Sequence, residues 1–269
     1  MLPALPTSPL KPPVPQTRAR VAVTIDAAGV HESAARAHAQ TMDLPFVTAD
    51  QRHDYDLYLA HTVERLELRD GHDARVGPVY VDFTHLDLRS YGPNLSRRQP
   101  LARAMGKKAR RIVDATTGLA HDALLLAAMG YHVTAIERNP ICAALVRDGL
   151  DRLAAAKNPA HPALGRLQLL CADARTELPR LTPRPDVIYL DPMFPPKRKR
   201  SAAVNKEMRL LRALVGDDED AQELLQISLG CANERVVVKR PEHAPPLRPN
   251  PMICFSGKLV RYDVYRANV

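Results

Sequence analysis

The pattern of apolar and polar positions changes near residue 111 of this 269-residue chain. Upstream of that point, short alternating segments are typical of strands, and an alanine-rich segment predicts a helix. The predicted strands are "RVAVTID", "PFVT", "YDLYLAHTV", "RLELRD" and "PVYVDF", the helix is "HESAARAHAQTM", and "DGHD" is a predicted hairpin turn. Together they predict a small α+β unit over residues 18–85.

Downstream, apolar strand-like segments alternate regularly with helical ones. The predicted strands are "RIVDAT", "HVTAIE", "LQLLCAD", "DVIYLDP", "RVVVKRP" and a closing "KLVRYDVYR". The predicted helices are "HDALLLAAMG", a segment that begins at Asn139 and Pro140, "NKEMRLLRALVG" and "DAQELLQISLG". Such alternation predicts an α/β domain over residues 86–269, with a parallel sheet covered by helices.

The N-terminus and the cysteines set limits on location and chemistry. Residues 1–17 are rich in proline and lack a continuous apolar region, so we expect a disordered tail rather than a signal peptide. The longest apolar runs are too short to cross a bilayer, and we expect a soluble cytoplasmic protein without a membrane partner. The four cysteines form no CxxC pair and no metal-like spacing with histidine, which favours buried thiols and no metal.

Basic residues exceed acidic ones by 38 − 30 = +8, and the sequence pI is about 9.5. The excess is concentrated in residues 95–111, 197–200 and 236–241. Any one of these stretches alone could be a solvated face, but together they favour contacts with RNA or DNA phosphates. The predicted phosphate contacts are Lys197, Arg198, Lys199, Arg200, Lys239 and Arg240.

Acidic residues end successive predicted strands: Asp114, Glu137, Asp173 and Asp191. Ligands of open parallel sheets bind at the carboxyl ends of the strands. A dinucleotide would require a GxGxxG turn, which "DATTGLAHD" lacks. Carboxylates suit a cofactor with a positive centre and no phosphate, so the sequence predicts S-adenosylmethionine.

Each strand end has a predicted role toward that cofactor. Gly118 lets the main chain approach the methionine part, and Asp114 braces the loop or meets the ammonium through water. Glu137 accepts the ribose hydroxyls, Asp173 accepts the adenine amino group, and the Ala174 amide donates to a ring nitrogen. The alternative for each acid is a helix cap or a solvent-facing side chain.

The segment "DPMF" follows the fourth predicted strand. The carboxylate of Asp191 and the carbonyl of Pro192 are suited to accept the two N–H groups of an exocyclic amine of a base. Phe194 would stack on that base, which must first leave any helix that contains it. The alternative is a proline turn followed by a core phenylalanine.

Several segments together resemble the bacterial small-subunit ribosomal RNA (guanine-N2) methyltransferase J family. They are "VDATTGLAHDA", "AIERNP", "VIYLDPMFP", "NKEMRLLRALVG" and "RVVVKRPEHAPPL", and the resemblance extends from about residue 60 to the C-terminus. It implies a class I (Rossmann-like) methyltransferase fold with a mostly parallel seven-stranded sheet and helices on both faces. It also implies methylation of one guanine, at its N2 amine, near the 3′ end of 16S rRNA.

The resemblance further implies a set of cofactor contacts. These are His121, Asp122, Glu137, Arg138, Asp173, Ala174 and Asp191. Two departures from the family stand out: it usually has glycine then arginine at positions 120 and 121, and serine at position 173. This chain has Ala120, His121 and Asp173.

Two other functions stay open from the sequence. An adenine-N6 methyltransferase acting on DNA or RNA would use the same Asp-Pro-x-Phe geometry, and a non-catalytic RNA-binding module could keep the fold alone. The expected partner is small-subunit rRNA or the 30S subunit. A monomer is favoured, although the sequence does not reveal the oligomeric state.

Overall fold

The structure is a computed structural model that describes residues 19–26, 32–84, 86, 95–156, 162–193 and 206–268. Within these ranges the strands are β1 Val21–Ile25, β2 Leu57–His61, β3 Leu66–Asp70, β4 Arg111–Asp114, β5 His132–Glu137, β6 Leu167–Cys171, β7 Val187–Leu190, β8 Arg235–Pro241, β9 Ile253–Ser256 and β10 Val260–Arg266. The helices are α1 Glu32–Met42, α2 Pro100–Met105, α3 His121–Ala128, α4 Pro140–Ala155, α5 Ala174–Glu177, α6 Lys206–Val215 and α7 Ala221–Cys231. The predicted tail and the "KRKR" stretch lie outside the described residues.

The larger sheet has seven strands in the order β6-β5-β4-β7-β8-β10-β9. The first five of these strands pair in parallel, whereas β10 is antiparallel to both of its neighbours. The chain builds outward from β4 to β6 and then returns to place β7 on the other side of β4. This reversal opens a crevice at the carboxyl ends of β4 and β7, where ligands of such sheets bind.

Burial explains why the central strands are almost entirely apolar. All four residues of β7, "VIYL", are buried. Val187 and Tyr189 belong to one apolar cluster, and Ile188 and Leu190 belong to another. Alternate side chains therefore enter two cores on opposite faces of the sheet, and the predicted α/β fold with helices on both faces is confirmed.

Capping residues, a proline and a glycine define the ends of the helices around the crevice. Asn139 caps α4, because its side chain accepts hydrogen bonds from the amides of Ile141 and Cys142. Pro140 occupies the first turn, where its missing N–H costs nothing. Gly130 follows α3 with a φ of 98°, a value that suits glycine.

The small sheet has the order β1-β2-β3, in which β1 and β2 are parallel and β2 and β3 antiparallel. Two predicted strands are wrong: "PFVT" and "PVYVDF" form only the isolated bridges Val23↔Phe46 and Leu68↔Val79. Their main chains pair at one position only: Val23 bonds Pro45 and Val47, and Val79 exchanges both hydrogen bonds with Leu68. The sequence also missed α2, which lies in a basic stretch, and the four-residue β9.

Apolar residues of the small sheet belong to the same core as one face of the large sheet. The boundary between two units near residue 85 therefore stays a prediction. In the ranges that the structure describes, every helix is too short or too polar to span a membrane.

Candidate active site

Two clefts open where the strand ends meet. The first cleft is lined by Gly118, Glu137, Arg138, Asp173, Ala174 and Asp191, among others. The second cleft is lined by Tyr80, Asp114, His121, Asp122, Asp191 and Lys239, among others. Thr116, Gly118 and Asp191 belong to both. The sequence-predicted cofactor residues thus divide between two adjoining clefts.

Glu137, at the end of β5, is the buried acid of the first cleft. Its Oε2 accepts the Gly118 amide at 2.7 Å, and its Oε1 accepts the Asn139 amide at 2.7 Å. Burial raises the pKa of Glu137 to about 7, although both amide hydrogen bonds oppose the rise. A carboxylate oxygen accepts more than one hydrogen bond, so each oxygen retains capacity for a ribose hydroxyl.

Gly118 shapes the turn between β4 and α3. It has a φ of 55°, and a Cβ added there would meet no heavy atom within 4 Å. A ligand can therefore approach this main chain closely. The Gly118 amide donates to Glu137, so it is not available to bind a ligand phosphate. These features, with the apolar Ile136, Ala174 and Leu224 in the same wall, fit a nucleoside with a free ribose diol.

Asp173 follows β6 and caps α5. Its Oδ1 accepts the Arg175 amide at 2.9 Å, and its Oδ2 accepts Nη2 of the same arginine at 2.7 Å. The hydrogen bonds from the Arg175 side chain are the main reason that the pKa of Asp173 lies below its usual value. The helix-cap alternative is therefore realised, and an adenine amino group would share this carboxylate with Arg175.

An ion-pair network borders the first cleft, and sequence reasoning missed most of it. Arg138 donates to Asp218 and, at 2.7 Å, to Oδ2 of Asp220. Arg175 also reaches Asp220, at 3.2 Å. The acidic run "DDED" at positions 217–220, between two predicted helices, is a signal that could have indicated this contact.

The network extends to the turn that follows β7. The Met193 amide donates to Oδ2 of Asp218 at 2.5 Å, and the Asp218 amide donates to the Met193 carbonyl at 3.0 Å. Pro192 lines the first cleft beside it, whereas Phe194 lies outside the described residues. The acid that pairs with Arg138 thus also holds the "DPM" turn.

Asp191 stands at the junction of the clefts. Its amide donates to Oγ1 of Thr116 at 2.6 Å, which ties the ends of β7 and β4 together. Its Oδ2 lies 2.9 Å from Nζ of Lys239, and its side chain remains 41% exposed. This carboxylate can therefore be reached from both sides.

Lys239 and Arg240, two predicted phosphate contacts, are both engaged inside the protein. Nζ of Lys239 donates to Asp122 at 2.8 Å as well as contacting Asp191. Arg240 is 6% exposed, and its Nε and Nη2 donate to the Pro245 carbonyl at 3.0 and 2.7 Å. Because β8 alternates its side chains between the two faces of a covered sheet, neither basic group points freely into solvent.

Asp114, Asp122 and His121 surround the second cleft. Asp114 is 2% exposed and accepts the Thr116 amide at 3.2 Å, so it braces the loop as the sequence predicts. Burial, and then the charge of Asp122, raise the pKa of Asp114 well above its usual value.

His121 packs edge-on against Phe83 with ring centroids 5.8 Å apart, and burial lowers its pKa. The neutral ring is thus a packing surface as well as a cleft wall.

Among the described residues, no group of three or more His, Cys, Asp or Glu side chains has a geometry that could hold a metal ion. The polar residues of the clefts are mostly hydrogen-bond acceptors, and the cations among them, Arg138, Arg175 and Lys239, are paired with acidic side chains. Such a lining suits a ligand rich in N–H and O–H donors.

Comparisons with known proteins agree with this reading of the clefts. The model of a family described as SAM-dependent methyltransferase matches residues 39–267. Ribosomal RNA small subunit methyltransferase J of Aeromonas hydrophila is 47% identical over 214 residues, covering 77% of this chain and 85% of the relative. The protein of that name from Coxiella burnetii is 44% identical over 234 residues, covering 84% and 89%.

A solved structure supports the same relationship. The SAM-dependent methyltransferase from Neisseria gonorrhoeae superposes with a TM-score of 0.67 at 29% identity, covering 91% of this chain and 96% of that one. S-adenosylmethionine is thus the cofactor, as the strand-end acids predict. This chain belongs to the family of SAM-dependent methyltransferases that includes the ribosomal RNA small subunit methyltransferases J.

Proposed function

We propose that this enzyme transfers a methyl group from S-adenosylmethionine to the exocyclic N2 amine of a guanine in small-subunit ribosomal RNA. The names of the relatives support the RNA substrate. The observation that carries the proposal is the place of Asp191, which lines both clefts and so can face a cofactor on one side and an acceptor base on the other.

The difficulty of the reaction lies in the amine, whose lone pair is delocalised into the base. Bound in the first cleft, the cofactor supplies an electrophilic methyl group on a sulfonium. Asp191 accepts one N–H of the amine, and the Pro192 carbonyl accepts the other, which favours a pyramidal nitrogen. As the N–C bond forms and the C–S bond breaks, one N–H proton leaves, and Asp191 is the group placed to receive it.

The cofactor residues act by holding the reactants in line. Glu137 takes the ribose hydroxyls, and the Gly118 turn admits the methionine part between the clefts. Arg138 pairs with Asp218, and Asp218 holds the Met193 amide. This pair keeps the "DPM" turn beside the ribose and the methionine part of the cofactor. Rate enhancement then comes mainly from positioning, and a strong general base is not required.

The RNA must present an unstacked base, because an amine inside a helix cannot reach the site. We propose that Phe194 stacks on this base and that Lys197, Arg198, Lys199 and Arg200 hold flanking phosphates; all of these lie outside the described residues. A ribosomal substrate also implies a cytoplasmic enzyme, acting on naked rRNA or on the 30S subunit, and we propose a monomer.

The test is to identify the methylated nucleoside. Purified protein, labelled S-adenosylmethionine and small-subunit rRNA or 30S subunits should give label that is recovered as N2-methylguanosine after digestion. Recovery as N6-methyladenosine would support an adenine methyltransferase instead. Cofactor binding without transfer to any RNA or DNA would indicate a binding module.

Asp191→Asn tests the central residue. An amide of the same shape cannot take the proton and presents a donor to the amine, so we expect kcat to fall by about 100-fold or more. Asp217→Asn, at an exposed acid near the same cleft, is the matched control and should keep full activity. Unchanged turnover in the Asp191 variant would remove this residue from the mechanism.

A further inference from the structure

We propose that Lys239 is a positioning residue for methyl transfer, whose ammonium keeps Asp191 ionised and turned toward the second cleft, and that it does not bind RNA phosphate. This inference rests on the proposed function of Asp191. It replaces the role in phosphate binding that the basic "VVVKRP" segment suggests from sequence.

The ammonium of Lys239 makes two short contacts and is mostly shielded from solvent. Nζ lies 2.9 Å from Oδ2 of Asp191 and 2.8 Å from Oδ2 of Asp122, and the Lys239 side chain is 22% exposed. The hydroxyl of Tyr189 donates to the same Asp122 oxygen at 2.6 Å. Lys239 is therefore held at a defined point between two carboxylates, one from α3 and one from the end of β7.

This arrangement leaves one edge of Asp191 for the substrate. The ammonium occupies Oδ2, and among the described residues none donates a hydrogen bond to Oδ1. Oδ1 can then accept an N–H of the target amine while Oδ2 stays fixed. The lysine thus selects which edge of the carboxylate faces the base.

Acidic groups surround Asp191; among them Asp122 and Asp218 act on it by their charge, and Lys239 acts against them. Ionisable groups approach it from several elements: Asp114 of β4, Asp122 of α3, Tyr189 of β7, Tyr262 of β10, and Asp218 before α7. Burial is the largest influence and raises the pKa of Asp191, and Asp122 and Asp218 act in the same direction. Lys239 opposes them through both its charge and its hydrogen bond.

The same triad is a poor phosphate site. One ammonium between two carboxylates has a net charge of about −1 when both acids are ionised, which repels a phosphate. Burial opposes the charge of Lys239, but Asp191 and Asp122 outweigh it and raise the pKa of the lysine. The ammonium is therefore charged and already neutralised by groups of the protein.

The test compares Lys239→Met with Lys239→Arg, using kcat as a function of pH at saturating cofactor and RNA. Asp191 must be ionised to accept the amine, so activity falls as pH drops through its pKa. Without the neighbouring cation that pKa rises, and we expect the acid limb of the Met variant to move to higher pH. Below the new pKa, activity drops about tenfold per pH unit, and alkaline pH restores it. The Arg variant keeps the charge and should retain the wild-type limb.

RNA affinity supplies the second readout. The salt dependence of RNA binding by Lys239→Met should match that of the wild type, because no phosphate contact is lost. A log–log slope shallower by about 0.7 to 0.9, the value for one phosphate, would overturn the proposal. An unchanged acid limb, or a loss of activity that no pH restores, would overturn it as well.

Asp122→Asn gives an independent check, in which the acid limb of the pH profile should move in the opposite direction. This variant replaces Lys239→Met if the Met variant does not fold. Without the Asp122 carboxylate, Lys239 pairs with Asp191 alone, and a negative charge near Asp191 is lost. Both changes lower the pKa of Asp191, so the acid limb should move to lower pH. A limb that stays in place or moves upward contradicts the inference. Failure of the proposed function itself would be recognised earlier, in the wild-type protein, as transfer to another nucleoside or as no transfer.

Discussion

Single carboxyl groups at the strand ends differ in protonation because their surroundings differ. Asp114 and Glu137 are buried, and burial raises the pKa of both. Asp173 is bound by the Arg175 side chain, and its pKa is lowered. A strand-end acid thus braces a loop, holds two main-chain amides or caps a helix according to the groups packed around it.

Glu137 should make stability depend on pH. Its pKa is about 7 in the folded protein against 4.5 ordinarily, so between these values the folded state holds a proton that the unfolded chain has released. Raising the pH through this window therefore destabilises the fold, by on the order of 3 kcal/mol. Urea unfolding of the cofactor-free protein from pH 4 to 8 measures the effect.

Glu137→Gln is the control for this prediction, because glutamine does not titrate. The difference in unfolding free energy between the wild type and the variant should fall from acid to neutral pH. A difference that is constant over this range would show that Glu137 has an ordinary pKa.

At the scale of elements, the site depends on how the ends of neighbouring strands are joined. β4 and β7 are adjacent and parallel, and the hydroxyl of Thr116 accepts the Asp191 amide just beyond both strands. On the other side, Asp218 holds the Met193 main chain. The turn that carries Asp191 is thus fastened at two points that come from different loops.

Thr116→Val should loosen the catalytic turn without a change in side-chain shape. The Asp191 amide is exposed, so water can replace the lost hydroxyl. The hydrogen bond is then worth about 0.5–1.5 kcal/mol, and we expect kcat to fall by about twofold to tenfold. Thr116→Ser keeps the hydroxyl and should stay close to wild type. Steady-state kinetics on the same RNA checks both variants, and equal rates for Val and Ser would show that this hydrogen bond does not position Asp191.

At the scale of the whole molecule, the segment that follows the small sheet forms part of the second cleft. Residues 78–80 line the second cleft together with residues from α3 and β8. The segment after β3 is held against α4, where a Cβ on Gly149 would lie 2.6 Å from Cγ1 of Val81 and Arg152 donates to the Val81 carbonyl. Packing against α4 therefore holds in place the segment that lines the second cleft.

Gly149→Ala tests this packing. Alanine favours a helix by about 0.5–1 kcal/mol over glycine, but forcing a methyl group against buried Val81 costs about 1–3 kcal/mol. We expect a net loss of stability in thermal unfolding. Gly230→Ala in α7, where a Cβ would meet no atom within 4 Å, should be neutral or stabilising. Equal behaviour of the two variants would contradict close contact between α4 and residue 81.

Predictions from the sequence were most accurate where a structural feature depends on residues close together in the chain. The apolar strands ending in Asp114, Glu137, Asp173 and Asp191 were predicted, because strands covered on both faces must be apolar and their ends are where polar groups can appear. The predictions failed for "PFVT" and "PVYVDF", whose valines are buried although their main chains form only isolated bridges.

Long-range partners account for the remaining differences. The Arg138–Asp218 and Lys239–Asp122 pairs join residues 80 and 117 positions apart. A basic residue read from sequence alone looks like a phosphate ligand, because nothing in its neighbours along the chain reveals the carboxylates that it meets in the fold.

By itself, the order of strands, acids and turns along this chain determined the fold class and the cofactor, and it placed the "DPMF" turn after the fourth predicted strand. These follow from periodicity and from the common direction of parallel strands, which brings their carboxyl ends to one edge. Only the tertiary structure decided that Asp191 lines two clefts, that Lys239 lies between Asp191 and Asp122, and that the segment after β3 lines the second cleft. Those facts depend on distances between residues far apart in sequence, and side-chain charge and burial are set by such neighbours rather than by residue type.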